Sequence, residues 1–214
     1  GVDGSTSGGN NVAVGGLALT ALTTGGDNVV IGYNAGVAMT VAGQNVYIGK
    51  DCAESSDQGD YNTVVGHGSF KTASGNSSNY NTVVGWEAAK IMTDGAENTC
   101  IGAKTGDAIT TGNNNTLIGY NCDVDNNSRS DSIAIGKDVT TKNSNSYARL
   151  GNDTNYVELN FSTSGQNWVA TSDERIKQNI VDGDLGLEFV NKLRPIKYED
   201  KPSAEWDDEL KSKI

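Results

Sequence analysis

The chain has 214 residues, 27 acidic against 16 basic side chains and a net charge of −11, which leaves room for one domain and a short appendage. Its 27 glycines, 2 prolines and 7% aromatics depart from an ordinary mixed core and signal repetition. So negative a balance, with no block of Lys or Arg, argues against a nucleic-acid backbone or an anionic membrane surface as partner. No window approaches the ~18 apolar residues of a membrane span, and residues 1–5 read as neither a basic n-region nor an apolar h-region.

From Asn11 onward one pattern recurs, Asn-x-x-(Val/Ile)-Gly. It runs from Asn11 to Gly15, Asn28 to Gly32, Asn45 to Gly49, Asn62 to Gly66, Asn81 to Gly85, Asn98 to Gly102 and Asn115 to Gly119, and an eighth copy, Ser132 to Gly136, has Ser for Asn. The closing glycines step by 17, 17, 17, 19, 17, 17 and 17 residues, the signature of a repeat architecture. The three residues between Asn and Gly are too few for a helix, rich in Val, Ile and Thr and bounded by turn formers, so each copy predicts a short strand. Asn and Gly themselves are read as turn chemistry: Asn tolerates the left-handed conformation and bonds its own backbone, and Gly turns a tight corner.

Period-two geometry puts the first and third strand columns on one face (Val12 and Val14 through Ile133 and Ile135) and the middle column on the other (Ala13, Val30, Tyr47, Val64, Val83, Cys100, Leu117 and Ala134). Both are almost wholly apolar. A single-chain solenoid encloses one strand face and exposes the other, so a doubly apolar strand asks for a second layer, most simply from oligomerisation. The middle column is expected between subunits or layers, and the threonines Thr63, Thr82, Thr99 and Thr116 are read as tolerated inside a core. Three residues after each Gly comes a column of small or β-branched residues, with Cys52 and Cys122 in it four coils, roughly 19 Å, apart. That is beyond disulfide reach, and these two with Cys100 read as reduced core thiols.

One residue after each Gly lies a column with several large aromatics. Tyr33, His67, Trp86 and Tyr120 are its candidate receptor-binding residues, since amphipathic rings contact sugars and partners. Asp123 to Ser128 resembles the start of a calcium loop but lacks its sixth-position Gly and its twelfth-position Glu, having Ala134 there; no metal site is read. None of the Gly-rich corners opens a helix with the phosphate-binding Gly-Lys-Ser/Thr. No cofactor is expected.

Residues 146–171 alternate, as in Tyr156 to Phe161, and predict a β neck. Beyond it the composition changes: 24 of the first 172 residues are charged but 19 of the last 42, and 25 of the 27 glycines lie before that line. The tail carries a helix signature, with Asp184 as cap, Leu185, Phe189 and Leu193 on one stripe, and Pro195 as stop. By local physics, Thr171 with Glu174 is a capping box.

The run Ser172-Asp173-Glu174-Arg175-Ile176-Lys177-Gln178-Asn179-Ile180, followed by Gly186-Leu187-Glu188-Phe189-Val190-Asn191-Lys192-Leu193-Arg194-Pro195-Ile196-Lys197-Tyr198, resembles the opening of the C-terminal intramolecular chaperone of phage tail fibres and tailspikes, the endosialidase-type self-cleaving family. The resemblance implies a trimerising chaperone released by cleavage of the Ser172-Asp173 bond, with Ser172 as nucleophile and Lys177 as base. It covers about thirty residues, whereas family chaperones continue further, so 172–214 is read as the incomplete N-terminal part of that domain. More loosely, the repeats resemble the β-roll heads of trimeric adhesins.

The reading is therefore an all-β fold: a homotrimeric 17-residue-repeat β-helix or β-roll over 1–145, a neck over 146–171 and a short α-helical appendage over 172–214. Its function is a host-attachment protein of a phage tail fibre or tailspike, located in the virion. Its partners are two further copies of itself and a bacterial surface glycan or protein, with no multiple-turnover activity beyond one self-cleavage. The alternatives are a bacterial trimeric adhesin head at the cell surface, an ice- or crystal-binding solenoid using the Thr ladder, and, ranked low, a glycan-cleaving tailspike, because Asp51, Glu54, Asp57 and Asp60 show no repeating alignment.

Overall fold

Three β-branched or apolar residues ending at a glycine are enough for one rung of a parallel sheet when the chain returns to the same register every turn. The computed structural model describes residues 8–73, 77–142, 145–161 and the backbone of 169–170. The chain divides into two units, Gly1–Thr171 and Ser172–Ile214, and every described residue lies in the first. The predicted C-terminal helix falls outside them, as do Ser172 and Lys177.

The rungs are β1 (Val12–Val14), β2 (Val29–Ile31), β3 (Val46–Ile48), β4 (Thr63–Val65), β5 (Thr82–Val84), β6 (Thr99–Ile101) and β7 (Thr116–Tyr120). After the short β8 (Asp123–Val124) come β9 (Ile133–Lys137), β10 (Thr140–Thr141), β11 (Tyr147–Asn152), β12 (Tyr156–Asn160) and β13 (Val169–Ala170). Rung pairs with rung in parallel without slippage, Val12 with Val29, Val29 with Val46, and on to Thr116 with Ile133. The result is a β-solenoid, and no helix occurs among the described residues. The longer fourth step is absorbed outside the ladder, for Thr63 still faces Thr82 and Val64 still faces Val83. β8 and β10 pair on a second side of the coil.

Strand β11 is a ninth rung. Ala148 faces Ile133 and Gly151 faces Gly136, so the stack extends into the stretch predicted as neck. There the direction reverses: β12 runs antiparallel to β11, and β13 antiparallel to β12. A charged residue, Arg149, stands opposite Ala134 of the middle column. It is buried, its Nη1 donates to Thr140 O (2.6 Å) and its Nη2 to Glu158 Oε2 (2.7 Å), and its guanidinium stacks on Tyr156, 3.9 Å from the ring centroid. A polar residue of this kind ends an interior column that further rungs would otherwise have to cover.

The middle column is the inside of the coil, which corrects the sequence expectation. Val30, Tyr47, Val64, Val83, Cys100, Leu117 and Ala134 are fully buried by their own chain, together with the small column Ala35, Cys52, Ser69, Ala88, Thr105, Cys122 and Val139. No second subunit is needed to cover them. The face that the chain leaves open is the other one: Val12, Val14, Ile31 and Ile101 are exposed, and so are Thr63 and Thr82. The threonines are thus an outward ladder rather than tolerated core residues.

Tight corners set the backbone. The closing glycines hold φ between +125 and +150° from Gly15 to Gly136, and a Cβ on Gly15 would lie 2.5 Å from Gly32 O, so no side chain fits. The second residue after each Gly is left-handed as well, including Asn34, Asp51, Glu87, Lys104, Asn121 and Asp138. That twist aims its amide along the solenoid axis: Asn34 N donates to Gly16 O, Asp51 N to Tyr33 O and Lys104 N to Trp86 O, each at 2.9 Å. Leu19, Ala53, Phe70 and Ala89 are left-handed too. Each is fully buried and each donates its amide to the next coil, which offsets the ~1–3 kcal/mol of such strain.

The repeating Asn does not serve as turn chemistry in the way predicted. The left-handed residue is the one before it (Asp27, Gln44, Tyr61, Tyr80, Glu97 and Asn114), and Asn itself points inward. Asn28, Asn45, Asn62, Asn81, Asn98 and Asn115 are buried and form a ladder through the core. Asn98 is typical: its N and Nδ2 both donate to Asn81 Oδ1 (2.9 and 3.2 Å), Nδ2 also donates to Gly112 O (2.9 Å), and its Oδ1 accepts N and Nδ2 of Asn115 (3.0 Å each). Replacing Asn98 with Ala leaves Asn115 N and Gly112 O without partners and Asn115 Nδ2 with Arg129 O alone, at about 1–3 kcal/mol for each unpaired buried group. Denaturant unfolding should show Asn98→Ala to be destabilised by more than about 3 kcal/mol, whereas Glu97→Ala, one residue away and exposed, should cost under about 1 kcal/mol; equal losses would contradict the ladder.

Candidate functional site

The outward strand face is the first candidate. Across eight rungs its two columns hold only Val, Ile and Thr, with no charge and no amide side chain. At about 4.8 Å per rung it runs about 34 Å along the axis. An uncharged, contiguous apolar strip of this kind marks a contact surface.

Beside it, one residue beyond each Gly, runs the predicted receptor column. Tyr33, Trp86 and Tyr120 are about half exposed (54%, 48% and 49%), and His67 is exposed, its Nε2 4.0 Å from Asp51 Oδ2. The four residues therefore share one edge of the solenoid. Lys50 and Lys137 stand in the same column and each pairs with the acid next to it, Lys50 with Asp51 (2.5 Å) and Lys137 with Asp138 (3.3 Å). Lys50 beside Asp51 holds that carboxyl below its usual range. Lys104 Nζ lies 5.2 Å from the Trp86 ring centroid, a cation–π contact. A second aromatic feature was not foreseen: Tyr61 and Tyr80, both exposed, stack with centroids 4.7 Å apart and planes 2° from parallel.

The acids weighed for glycan cleavage are occupied in holding neighbouring coils together. Glu54 pairs with Lys71 (2.7 Å), Thr40 Oγ1 donates to Asp57 Oδ1, and Asp60 Oδ1 accepts Gly43 N (2.7 Å). Asp125, in the calcium-like stretch, pairs with Arg129 at 2.7 Å. Among the described residues no group of three or more His, Cys, Asp and Glu is placed to hold a metal ion.

Cys52, Cys100 and Cys122 are buried and free. Burial pushes the Cys52 thiol up to about 12 and raises those of Cys100 and Cys122, so none supplies a thiolate at neutral pH. Tyr47, wholly enclosed, shares a hydrogen bond with Ser56 Oγ at 3.2 Å. At the Arg149 end an open cavity of about 400 Å3 is lined by Asn121, Asp138, Thr140, Lys142, Arg149 and Asp153, balanced between acids and bases.

Asp123 was not singled out from sequence. It falls where other coils place Leu19, Gly36, Ala53, Phe70, Ala89 and Gly106, in the interior loop column. Burial pushes its carboxyl from 3.8 up to about 7, and neighbouring Asp107 adds to the rise, against hydrogen bonds from Val124 N (2.8 Å) and Ala108 N (2.7 Å). The alignment that shows Asp in an otherwise apolar or glycine column was the available signal.

Comparison with known proteins adds no relative: no protein-family model matches the chain, and neither a curated protein nor a solved structure matches it.

The folded chain keeps the Asp123 proton up to about pH 7, whereas the unfolded carboxyl releases it near 3.8. The stability that protonated Asp123 contributes is therefore complete below about pH 4 and is lost as pH rises through about 7. Thermal melts of the parent and Asp123→Asn should diverge in the variant's favour between pH 4 and pH 8; a gap independent of pH would show that Asp123 is not buried in this way.

Proposed function

We propose that the chain is a structural and host-attachment protein, part of a homotrimeric phage tail fibre or tailspike. Its 172–214 segment is the opening of an intramolecular chaperone that is released once, at Ser172-Asp173, when that domain is complete. The observation that carries the trimer is the outward strand face, where β-branched residues without a charge follow one another over eight rungs. The Ser172 to Tyr198 motif supports the fibre over a bacterial adhesin head, which would share the repeats but not that motif. In the cleavage, the Lys177 amine takes the Ser172 hydroxyl proton, the Ser172-Asp173 bond breaks, and one water supplies the atoms of the new carboxyl and amino ends.

The outward position of Thr63 and Thr82 favours a second reading, a solenoid that lays its flat Thr and Val face on ice or another crystal. The two differ in what covers the face, and native mass separates them. A trimer whose assembly is lost in Val84→Asp or Ile101→Asp, with the strand signal in circular dichroism retained, supports the fibre, because each change buries an unpaired charge between chains. A folded monomer with ice-growth inhibition supports the second reading. Val83→Asp, one residue away but inside the coil, should instead abolish folding.

Cleavage is tested in a chain extended with a complete family chaperone. One cut after Ser172 is expected, and none in Ser172→Ala or Lys177→Ala; cleavage persisting in either variant removes the dyad.

A further inference from the structure

We propose that the Tyr33, Trp86 and Tyr120 column is a docking strip for an extended, uncharged, β-linked polysaccharide. The proposal rests on the host-attachment reading and names the class of surface ligand the fibre would hold. The three rings are half exposed on coils two, five and seven of one straight column. With coils about 4.8 Å apart, Trp86 and Tyr120 stand about 10 Å apart and Tyr33 and Trp86 about 14 Å. One coil is close to the advance of one β-linked hexopyranose residue, so a straight glycan laid along the column meets every ring at a sugar. A helical α-linked chain would leave this register after the first contact.

Two of the rings, Tyr33 and Trp86, have protein contacts before any ligand arrives. Tyr33 lies against the backbone of Gly16, where a Cβ would come within 3.3 Å of the ring, and Lys104 fixes Trp86 by its cation–π contact. Preorganised rings lose little freedom on binding. Directly beside them the left-handed residues present planar amides: Asn34 Nδ2 donates to Asp51 Oδ1 (3.2 Å) and Asn121 Nδ2 to Asp138 Oδ1 (3.1 Å). Each amide carries more hydrogen-bonding positions than that one bond uses. Aromatic faces for the apolar side of a sugar and paired amides and carboxylates for its hydroxyls lie in adjacent columns.

Charge selects among polymers. The cations of the column are paired with neighbouring acids in a chain of net charge −11, so a polyanion, whether nucleic acid or acidic glycan, gains no counter-charge here.

The test is binding of cellohexaose and chitohexaose, with maltohexaose as the α-linked control and a hyaluronan hexamer as the acidic one, measured by calorimetry on the assembled protein. Binding of at least one of the first two is expected. It should weaken tenfold or more in Trp86→Ala and in Tyr120→Ala while thermal melting and native mass stay as in the parent. The inference is overturned if neither binds, if maltohexaose or hyaluronan binds as tightly, or if the two variants bind unchanged. A trimer that binds none of these probes overturns this inference alone and leaves the fibre assignment standing.

Discussion

Every coil of this solenoid must bring its corner back to the same height, because the corner buries backbone that water cannot reach. The Asn column meets that constraint. A single carboxamide accepts the backbone and side-chain N–H groups of the next coil and donates to a carbonyl farther round the turn. Each rung therefore fixes the next, and the period is a property of the hydrogen-bond ladder as much as of the strands. Unpartnered, each such buried group would cost about 1–3 kcal/mol, and a coil out of register would strand several at once. The step of 19 residues between Gly66 and Gly85 obeys the same constraint, since Asn81 Nδ2 still reaches Asn62 Oδ1 at 3.1 Å.

The glycine column and the left-handed corners follow from this ladder. A strand of three residues leaves little length in which to turn, so the chain turns through Gly15 to Gly136 at positive φ and aims the amides of the following residues along the axis. With its core filled from the middle and small-residue columns, the chain has no further use for an apolar residue on the opposite strand face. That Val, Ile and Thr occupy it without interruption is the reason for placing a partner there. In the first seven rungs the charges lie in the loops, where they pair between or within coils, as in Lys71 with Glu54 and Lys90 with Glu87.

The repeat, the strands and the need for glycine at each corner were legible because they depend on local spacing alone. Which strand face was inside was not. Period two divides the residues into two sets, both apolar and of overlapping size, with Tyr47 and Leu117 in the inner set and Ile31 and Ile101 in the outer one, so spacing alone leaves the choice open. The Asn ladder was masked by a local explanation that suits asparagine equally well in isolation, although its recurrence at one position, while the residue before it varied from Asp27 to Tyr61 to Glu97, pointed to a tertiary role. The ninth rung was hidden by its shorter step and by Arg149 in an interior column, a residue that terminates the pattern it belongs to. The aromatic column was legible as a column, and its common edge is geometry that the sequence spacing implied. Asp123 needed the alignment of loop positions, which lack the strand's regularity.

Backbone hydrogen exchange at the ladder tests this account most directly. The amides of Asn45, Asn62, Asn81, Asn98 and Asn115, each donated to the preceding Asn Oδ1, should exchange as slowly as those of the strand centres Val64, Val83 and Leu117, opening only when the whole coil opens. Asn amides that exchange as fast as those of exposed loop residues, with the strand centres still protected, would show that the corners are not held by the ladder and that the period has another cause.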